Sequence, residues 1–214
     1  MVDLNSNDLT NTLLSILSEF SLQTLEEICE LLPKYDKQLI HDKLEYLSYQ
    51  LLAVRKIEFD GKQYYVAAQE DVVLQRYRKE EYMAKRFKLY PILKFLRWMC
   101  QNSKYHISYM LCGEVPTCDS SLIIVNCNRT IYDIYFIPSN NIDFMTTYIN
   151  LIDREHLRNY VNVNGTSDNF KDDIQRIIIT EDENSLKQIN VSNTKYKIYF
   201  DGEDIIFEDG DIIE

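Results

Sequence analysis

Apolar residues recur at helical spacing in two segments near the start of the chain. Behind Asn7 or Asp8, either of which can cap a helix, they fall at intervals of three and four: Leu9, Leu13, Ile16, Leu17 and Phe20. Thr24 and Glu27 then form a capping box for a second helix, which Pro33 ends. The pattern predicts two short amphipathic helices, each with one apolar face.

A third helix and a hairpin follow directly. Asp36 caps a segment with a one-sided apolar stripe made of Ile40, Leu44, Leu47 and Leu51. Asp60-Gly61 is a strong signal for a hairpin turn, and it joins strands predicted at 52–59 and 63–68. This part of the chain therefore predicts three helices and a two-stranded hairpin, in that order.

The order of these elements resembles a winged helix-turn-helix domain, which we expect over residues 1–69. The resemblance implies that the third helix enters the major groove of DNA. A plain three-helix bundle followed by an unrelated hairpin is the alternative. Opposite the apolar stripe stand Gln38, Asp42, Glu45 and Tyr49. Two carboxylates on this face disfavour contact with phosphates, and they favour a protein partner or a homodimer instead.

The net charge of -11 is unevenly distributed along the chain. Residues 1–69 hold 6 Lys and Arg against 11 Asp and Glu, residues 70–104 hold 9 against 4, and residues 105–214 hold 8 against 19. The middle segment is predicted to be a basic helical linker in which Pro91 starts a second helix. Its cations are either a stripe that follows a phosphate backbone or an ordinary solvated helix face.

Candidates for contact with double-stranded DNA lie on the third helix, in the hairpin and on the linker. They are Lys37, Gln38, His41, Arg55, Lys56, Lys62, Lys94, Arg97 and Lys104. Gln38 has the chemistry to contact adenine, and the cations have the chemistry to contact phosphates. The tyrosines around the third helix and hairpin, by contrast, are a residue type enriched at protein interfaces.

The second half alternates between short apolar strands and helices. Strands are predicted at 105–111, 121–125, 131–137, 177–180, 195–200 and 204–207, with a helix from 142 to about 157 and a short one that reaches Ile189. This order predicts a mixed sheet with helices packed on it over residues 105–214. The fold class expected for the whole chain is therefore α+β.

Three motifs of this half, together with the winged helix, are similar to the replication-relaxation proteins of bacterial plasmids and mobile elements. The motifs are Pro116-Thr117-Cys118-Asp119, Ile131-Tyr132-Asp133-Ile134 and Ile177-Ile178-Ile179-Thr180. The resemblance implies a C-terminal domain related to the restriction-endonuclease fold. Asp119 and Asp133 would then match the two acids that hold Mg²⁺ in active enzymes. Tyr135 stands where those enzymes have Lys, so the site is expected to be degenerate.

Other features narrow the class of protein. No stretch of about 18 apolar residues occurs, and the acidic start of the chain does not resemble a signal peptide, so a cytoplasmic protein without a membrane partner is expected. The five Cys have neither disulfide nor zinc spacing and are expected to be buried free thiols. No cofactor and no catalysis are expected.

The resulting hypothesis is a non-catalytic DNA-binding accessory or regulatory protein of a bacterial plasmid or mobile element. Two alternatives stay open. One is a protein-interaction or dimerisation module that uses the acidic third helix and the aromatic hairpin. The other is a metal-dependent nuclease built on Asp119 and Asp133.

Overall fold

The chain folds as a mixed α+β protein in a computed structural model that describes residues 2–3, 7–68, 79–102, 107–115, 118–126, 131–151, 174–209 and 212–213. The helices are α1 (Leu9–Phe20), α2 (Leu25–Leu31), α3 (Lys37–Tyr49), α4 (Lys79–Gln101), α5 (Ile142–Leu151) and α6 (Glu183–Gln188). The strands are β1 (Val2–Asp3), β2 (Val54–Phe59), β3 (Lys62–Ala67), β4 (Ile107–Val115), β5 (Cys118–Asn126), β6 (Ile131–Ile137), β7 (Ile174–Thr180), β8 (Thr194–Phe200), β9 (Ile205–Phe207) and β10 (Ile212–Ile213).

Side-chain caps begin the first three helices where the sequence predicts them. Asp8 accepts hydrogen bonds from the first backbone N–H groups of α1, and Asp36 does the same for α3. At α2 the capping box is complete, because the Glu27 backbone N–H donates to Thr24 Oγ1 and Glu27 Oε2 accepts from the Thr24 backbone N–H. These caps satisfy backbone donors that have no partner within a helix, and they confirm the predicted helix starts.

The predicted hairpin is also confirmed. Strands β2 and β3 pair in antiparallel register from Val54 opposite Ala67 to Phe59 opposite Lys62. Asp60 and Gly61 both have positive φ, of 49° and 71°, as a tight two-residue turn requires. The predicted stripe of α3 is wrong at one position. The helix ends at Tyr49, so Leu51 falls in the following turn and is 53% exposed.

The larger sheet has the strand order β1-β4-β5-β6-β7-β8-β9-β10. Strands β4, β5 and β6 are antiparallel neighbours, β6, β7 and β8 are parallel, and β8, β9 and β10 are antiparallel again. The mixed sheet predicted for this half is thus confirmed. The predicted helix from 142 to about 157 is described as far as Leu151, and residues 152–173 lie outside the described ranges.

One continuous helix, α4, occupies residues 79–101 of the predicted linker. The sequence predicts that Pro91 starts a new helix, but Pro91 lies inside α4. A proline in a helix interior costs about 3 kcal/mol, and the apolar residues on either side of it offset this by packing: Leu89, Ile92, Leu93, Phe95, Leu96 and Met99 are buried. Within the described ranges, no helix is both long enough and apolar enough to span a bilayer.

Helix α4 lies between the N-terminal helices and the large sheet. It packs against α2 on one side and against β5, β6 and β9 on the other. A single apolar core runs from Leu9 through Phe95 to Ile205, and so crosses both predicted domain boundaries, at 69/70 and 104/105. The segment predicted as a linker is therefore a central structural helix.

The two faces of the large sheet bury different helices. On β6, Tyr132, Ile134 and Phe136 belong to the core that contains α4. Tyr135 and Ile137 point the other way, into a second core that includes residues of α5. This alternation follows from the two-residue period of a strand.

Candidate functional site

The outward face of α3 and the turn after it form an exposed apolar patch. Its members, which we call the α3 patch, are Leu39 (49% exposed), Tyr46 (47%), Tyr49 (67%), Leu51 (53%) and Leu52 (61%). Seven large hydrophobic side chains are exposed within the described ranges, and five of them are in this patch. Concentrated exposure of this kind marks an interaction surface, whereas scattered single residues do not.

Leu52 reaches its exposed position through an unusual backbone conformation. Its φ is 53°, in the left-handed region that bulky residues rarely adopt. The hydrogen bond from the Ala53 backbone N–H to the Leu47 carbonyl holds the turn, at 2.9 Å. The chain thus places two consecutive leucines in solvent beside Tyr49.

The polar residues predicted for DNA contact on α3 have partners within the protein. Lys37 Nζ lies 3.2 Å from Glu26 Oε1, and Gln38 Nε2 donates to Asp42 Oδ1 at 2.8 Å. The His41 ring lies between the carboxylates of Asp42 (3.6 Å) and Glu45 (3.7 Å). A phosphate approaching this face would meet these carboxylates as well as the cations.

Lys56, a predicted contact in the hairpin, is held by a carboxylate and an aromatic ring. Its ammonium pairs with Glu45 and lies 4.7 Å from the centroid of the Tyr49 ring. Burial lowers the pKa of Lys56, but the hydrogen bond and charge of Glu45 outweigh burial and leave the pKa raised. Lys56 therefore links the hairpin to α3. Arg55 and Lys62 of the same hairpin are exposed.

The predicted basic stripe on residues 94–104 is wrong for the two members that the structure describes. Lys94 Nζ pairs with Asp204 Oδ1 at 2.8 Å and donates to the Glu203 carbonyl. Arg97 is only 5% exposed, and its Nε lies 2.8 Å from Glu30 Oε2. The physical reason is that α4 has protein on both sides, so these cations face acidic neighbours instead of solvent. Lys104 lies outside the described residues.

A buried ion network joins α2 to α4. Arg86 pairs with Glu27 and also donates to the Leu22 carbonyl, and Arg97 Nη1 lies 3.5 Å from the same Glu27 carboxylate. Burial raises the pKa of Glu27, but the hydrogen bond and charge of Arg86, aided by Thr24, leave it below its usual value. The sequence identifies Glu27 as a capping residue and gives no sign that it also neutralises two arginines.

The strand register separates the backbone positions of the predicted nuclease pair. Asp133 on β6 is opposite Ile123 on β5, and Asp119 lies four residues before Ile123. At about 3.3 Å per residue, this backbone offset is roughly 13 Å along the strand. Ligand atoms lie about 2.1 Å from Mg²⁺, so this offset does not favour one ion shared by the two residues. The alternative of a nuclease built on this pair stays a prediction.

Asp133 is instead part of a buried polar cluster. It is 1% exposed, it accepts a hydrogen bond from the Tyr135 hydroxyl at 2.6 Å, and its register partner on β7 is Arg176. Arg176 is 2% exposed and donates to the carbonyl and hydroxyl of Ser192. The residue in the Lys position, Tyr135, serves as a hydrogen-bond donor to the acid.

Burial raises the pKa of Asp133 to about 7, against the opposing effects of the Tyr135 hydrogen bond and the Arg176 charge. An unfolded Asp ionises near pH 3.9, so between these values the folded chain holds a proton that the unfolded chain has released. We expect stability to fall as pH rises through this window, by up to about 1.4 kcal/mol per pH unit, and to level off above it.

Asp133→Asn removes this titration and keeps an acceptor for Tyr135. The free energy of unfolding of wild type minus that of the variant, measured in urea from mildly acidic to mildly alkaline pH, is expected to decrease until about neutral pH. Parallel curves for the two proteins would contradict a buried, protonated Asp133.

Two thiols that the structure describes agree with the expected free cysteines. Cys29 and Cys100 are unpaired and partly shielded from solvent. Burial raises the pKa of both thiols, for Cys100 to about 12. Neither is therefore a ready nucleophile at neutral pH, because the thiolate is the reactive form.

Sequence reasoning found the aromatic members of the α3 patch but missed its leucines. Leu39 and Tyr46 are seven residues apart, which places them on one side of α3, away from Ile40, Leu44 and Leu47. This second line of apolar residues on α3 was the sequence signal for the α3 patch. Searches against family models, curated proteins and solved structures find no match to this chain.

Proposed function

We propose that the chain is a non-catalytic protein-interaction module in which the α3 patch joins two copies of the protein. The domain that presents the patch is proposed to be a winged helix-turn-helix, with α3 as its third helix and β2–β3 as its wing. This assignment is supported by the order of three capped helices and a hairpin. The single observation that carries the function is the concentration of exposed apolar side chains in the patch.

The charges around the patch favour a second copy as the partner. Helix α3 contains two Lys and two acidic residues, so it is locally neutral although the whole chain carries a net charge of -11. A twofold interface brings the same surface of both copies together, and it therefore requires a face that does not repel itself. A helix with both signs beside an apolar line meets this requirement, whereas a phosphate-binding face needs an excess of cations.

Replacing an aromatic and a leucine of the patch is expected to disrupt the dimer. We predict that wild type has twice the 25.4 kDa mass of one chain at micromolar concentration, and that Tyr46→Ser/Leu51→Ser raises the dimer dissociation constant by at least about tenfold, because truncating one good anchor costs more than about 1 kcal/mol. Sedimentation equilibrium over a range of concentrations measures both.

A matched control exists on α5. Phe144→Ser/Leu151→Ser also removes one aromatic residue and one leucine, from a separate site where Phe144 is 51% and Leu151 is 76% exposed. This variant is expected to dimerise like wild type. A monomeric wild type at every concentration would remove the second copy as the partner, and equal weakening by both variants would remove the α3 patch as the site.

DNA binding is the second candidate, as an accessory protein of a plasmid or mobile element. It is favoured by the proposed winged helix and by the exposure of Arg55 and Lys62 on the hairpin. DNA binding ranks second because Lys37 and Lys56 are paired with carboxylates and Arg97 is buried. If DNA is bound, the hairpin is the surface that carries the contact.

Salt-sensitive binding tests this candidate. Labelled random duplex DNA is titrated at roughly 50 and 200 mM salt, a range over which phosphate contacts lose much of their affinity. Arg55→Glu/Lys62→Glu is expected to abolish any binding that depends on the hairpin. Lys187→Glu/Lys195→Glu makes the same charge change at other exposed positions and is expected to retain most of it. Fluorescence anisotropy that stays flat for wild type at the lower salt would eliminate nonspecific DNA contact.

The C-terminal half is proposed to be a non-catalytic relative of the restriction-endonuclease fold. The order α4, three antiparallel strands, α5 and the parallel strand β7 supports this proposal. The buried state of Asp133 and its separation from Asp119 support the absence of catalysis at those two positions. In this proposal the sheet is a scaffold that fixes α4, which in turn fixes the N-terminal helices.

A further inference from the structure

A groove of about 900 Å³ lies beside the hairpin and shares no lining residue with the α3 patch. Its walls come from the start of α2, His41 of α3, the hairpin, α4 and the turn between β8 and β9, so residues distant in sequence meet there. This volume is in the range of sites that hold small molecules or a few residues of a peptide. Nothing in the proposed dimer interface uses it.

Aromatic rings form one wall of the groove. The rings of Tyr90 on α4 and Phe200 on β8 are 5.8 Å apart and inclined by 60°, and both side chains are only partly buried. Phe59, at the end of β2, is a further partly buried ring in the lining. Partly exposed aromatic faces are the surfaces on which guanidinium and ammonium groups stack.

The groove already contains one guanidinium in such a setting. Arg86 lies 4.9 Å from the centroid of the Tyr64 ring and 5.8 Å from that of Tyr90, and Glu27 neutralises it. Arg97 lies 5.3 Å from the same Tyr90 centroid, so the protein's own arginines occupy that ring. The groove wall therefore contains the two kinds of group, aromatic rings and carboxylates, that bind a guanidinium. Phe200 and Glu203 add a second aromatic ring and a further carboxylate to the lining.

Carboxylates outnumber cations in the lining. Glu26, Glu27, Asp60 and Glu203 face two cations, Lys62 and Arg86. The excess of negative charge matches the sign of the whole chain, which carries -11. An anionic ligand would be repelled both locally and at long range, whereas a cationic ligand would be attracted.

We propose that this groove binds an arginine-containing basic peptide segment of a partner protein, with the guanidinium stacked on the Phe200 ring and paired with Glu203. The occupant is a basic peptide because the groove is open to solvent and its excess of carboxylates attracts a cationic segment. The inference is independent of the α3 patch. A monomeric protein can bind the peptide, and a dimer can form without it.

The test compares two fluorescein-labelled peptide pools with random flanking residues. One pool has a fixed central Arg and the other has citrulline, which keeps the shape of Arg and removes its charge. Fluorescence anisotropy is expected to show binding of the Arg pool and at least about tenfold weaker binding of the citrulline pool. Equal affinity for both pools, or no binding of the Arg pool at millimolar protein, would overturn the proposal.

Two charge reversals separate the groove from long-range attraction. Glu203→Lys changes the groove, and Glu208→Lys makes the same charge change at an exposed position outside its lining. Because both residues are exposed, neither variant is expected to shift the urea midpoint greatly. Glu203→Lys is expected to weaken the Arg pool at least about tenfold and Glu208→Lys less than about twofold. Equal weakening by both variants would overturn the proposal.

Two further binding measurements would identify a different kind of ligand. If N-acetyl-arginine amide binds as tightly as the peptides, the groove is a site for a small guanidinium compound and the peptide proposal fails. If a labelled single-stranded oligonucleotide binds and Lys62→Glu abolishes that binding, the groove takes an anion and the proposal also fails. Neither outcome changes the measurement of dimer mass, so the two proposals can fail separately.

Discussion

Glu27→Ala is expected to lower the free energy of unfolding by about 3 to 5 kcal/mol, which is a large part of the stability of a typical domain. The variant leaves Arg86 without the carboxylate that neutralises it and removes one of the two carboxylates beside Arg97, which keeps Glu30. The side chains of both arginines are less than a tenth exposed. An unpaired buried charge costs several kcal/mol, far more than the intact pair contributes. Urea denaturation with an unchanged slope measures the effect.

A conservative variant and a neighbouring residue separate the causes. Glu27→Gln keeps an oxygen for the Thr24 backbone N–H, so it preserves the capping box while removing the charge. It is expected to lose most of the same stability. Glu26→Ala is the control, because the Glu26 and Lys37 side chains are 66% and 61% exposed and such pairs contribute less than about 1 kcal/mol.

The acid response follows from the lowered pKa of Glu27. A carboxyl group with a depressed pKa in the folded state contributes stability that is present above its unfolded value and is lost as pH falls through the folded one. Wild type is therefore expected to lose its advantage over Glu27→Gln as the pH falls below about 4.5, the ordinary value for Glu. A constant difference across this range would show that the charge of Glu27 does not stabilise the fold.

Phe95→Ala is expected to cost about 3 to 5 kcal/mol, the usual loss for a buried Phe. Phe95 is fully buried on α4, with ring centroids 5.3 Å from Trp98 and 6.3 Å from both Tyr196 and Phe207. It therefore connects the helix to strands at the far end of the chain. If 79–101 were a solvated linker, the same change would cost less than about 1 kcal/mol.

Phe144→Ala is the matched control, because Phe144 is half exposed and stacks on Tyr148 in the same helix. Far-UV circular dichroism in urea reports the unfolding of both variants. Because one core spans both halves, Phe95→Ala is expected to shift a single transition to lower urea. Two separate unfolding transitions, only one of which moves to lower urea in Phe95→Ala, would show that the two halves of the chain unfold independently.

Local signals in the sequence determined the first three helices and the hairpin. Asp8, Thr24 and Asp36 cap helices, and Asp60-Gly61 turns the chain, through interactions among residues that are close in sequence. The mixed sheet was also predictable, because alternating apolar residues on β6 and the apolar run on β7 require burial whatever their neighbours are. For these elements, short-range chemistry and the period of the apolar pattern were sufficient.

Only the tertiary structure decided which charged residues are paired or buried. Lys94 and Arg97 lie opposite the strongest apolar line of α4 and would be exposed on an isolated amphipathic helix, but protein packs on both sides of α4 and supplies Asp204 and Glu30 as partners. Asp133 is a charged residue at an alternate position of β6, where solvent exposure would be expected. It is buried because α5 covers that face of the sheet.

The candidate surfaces depended on the same long-range arrangement. The α3 patch follows from an apolar line on α3 that stays exposed among the elements the structure describes, and the sequence cannot reveal this without the positions of those elements. The groove requires α2, the hairpin, α4 and the β8–β9 turn to meet, and the distance between Asp119 and Asp133 requires the strand register. Sequence patterns specify what each segment buries, and only the packing of segments against one another decides which charges and apolar groups remain in contact with water.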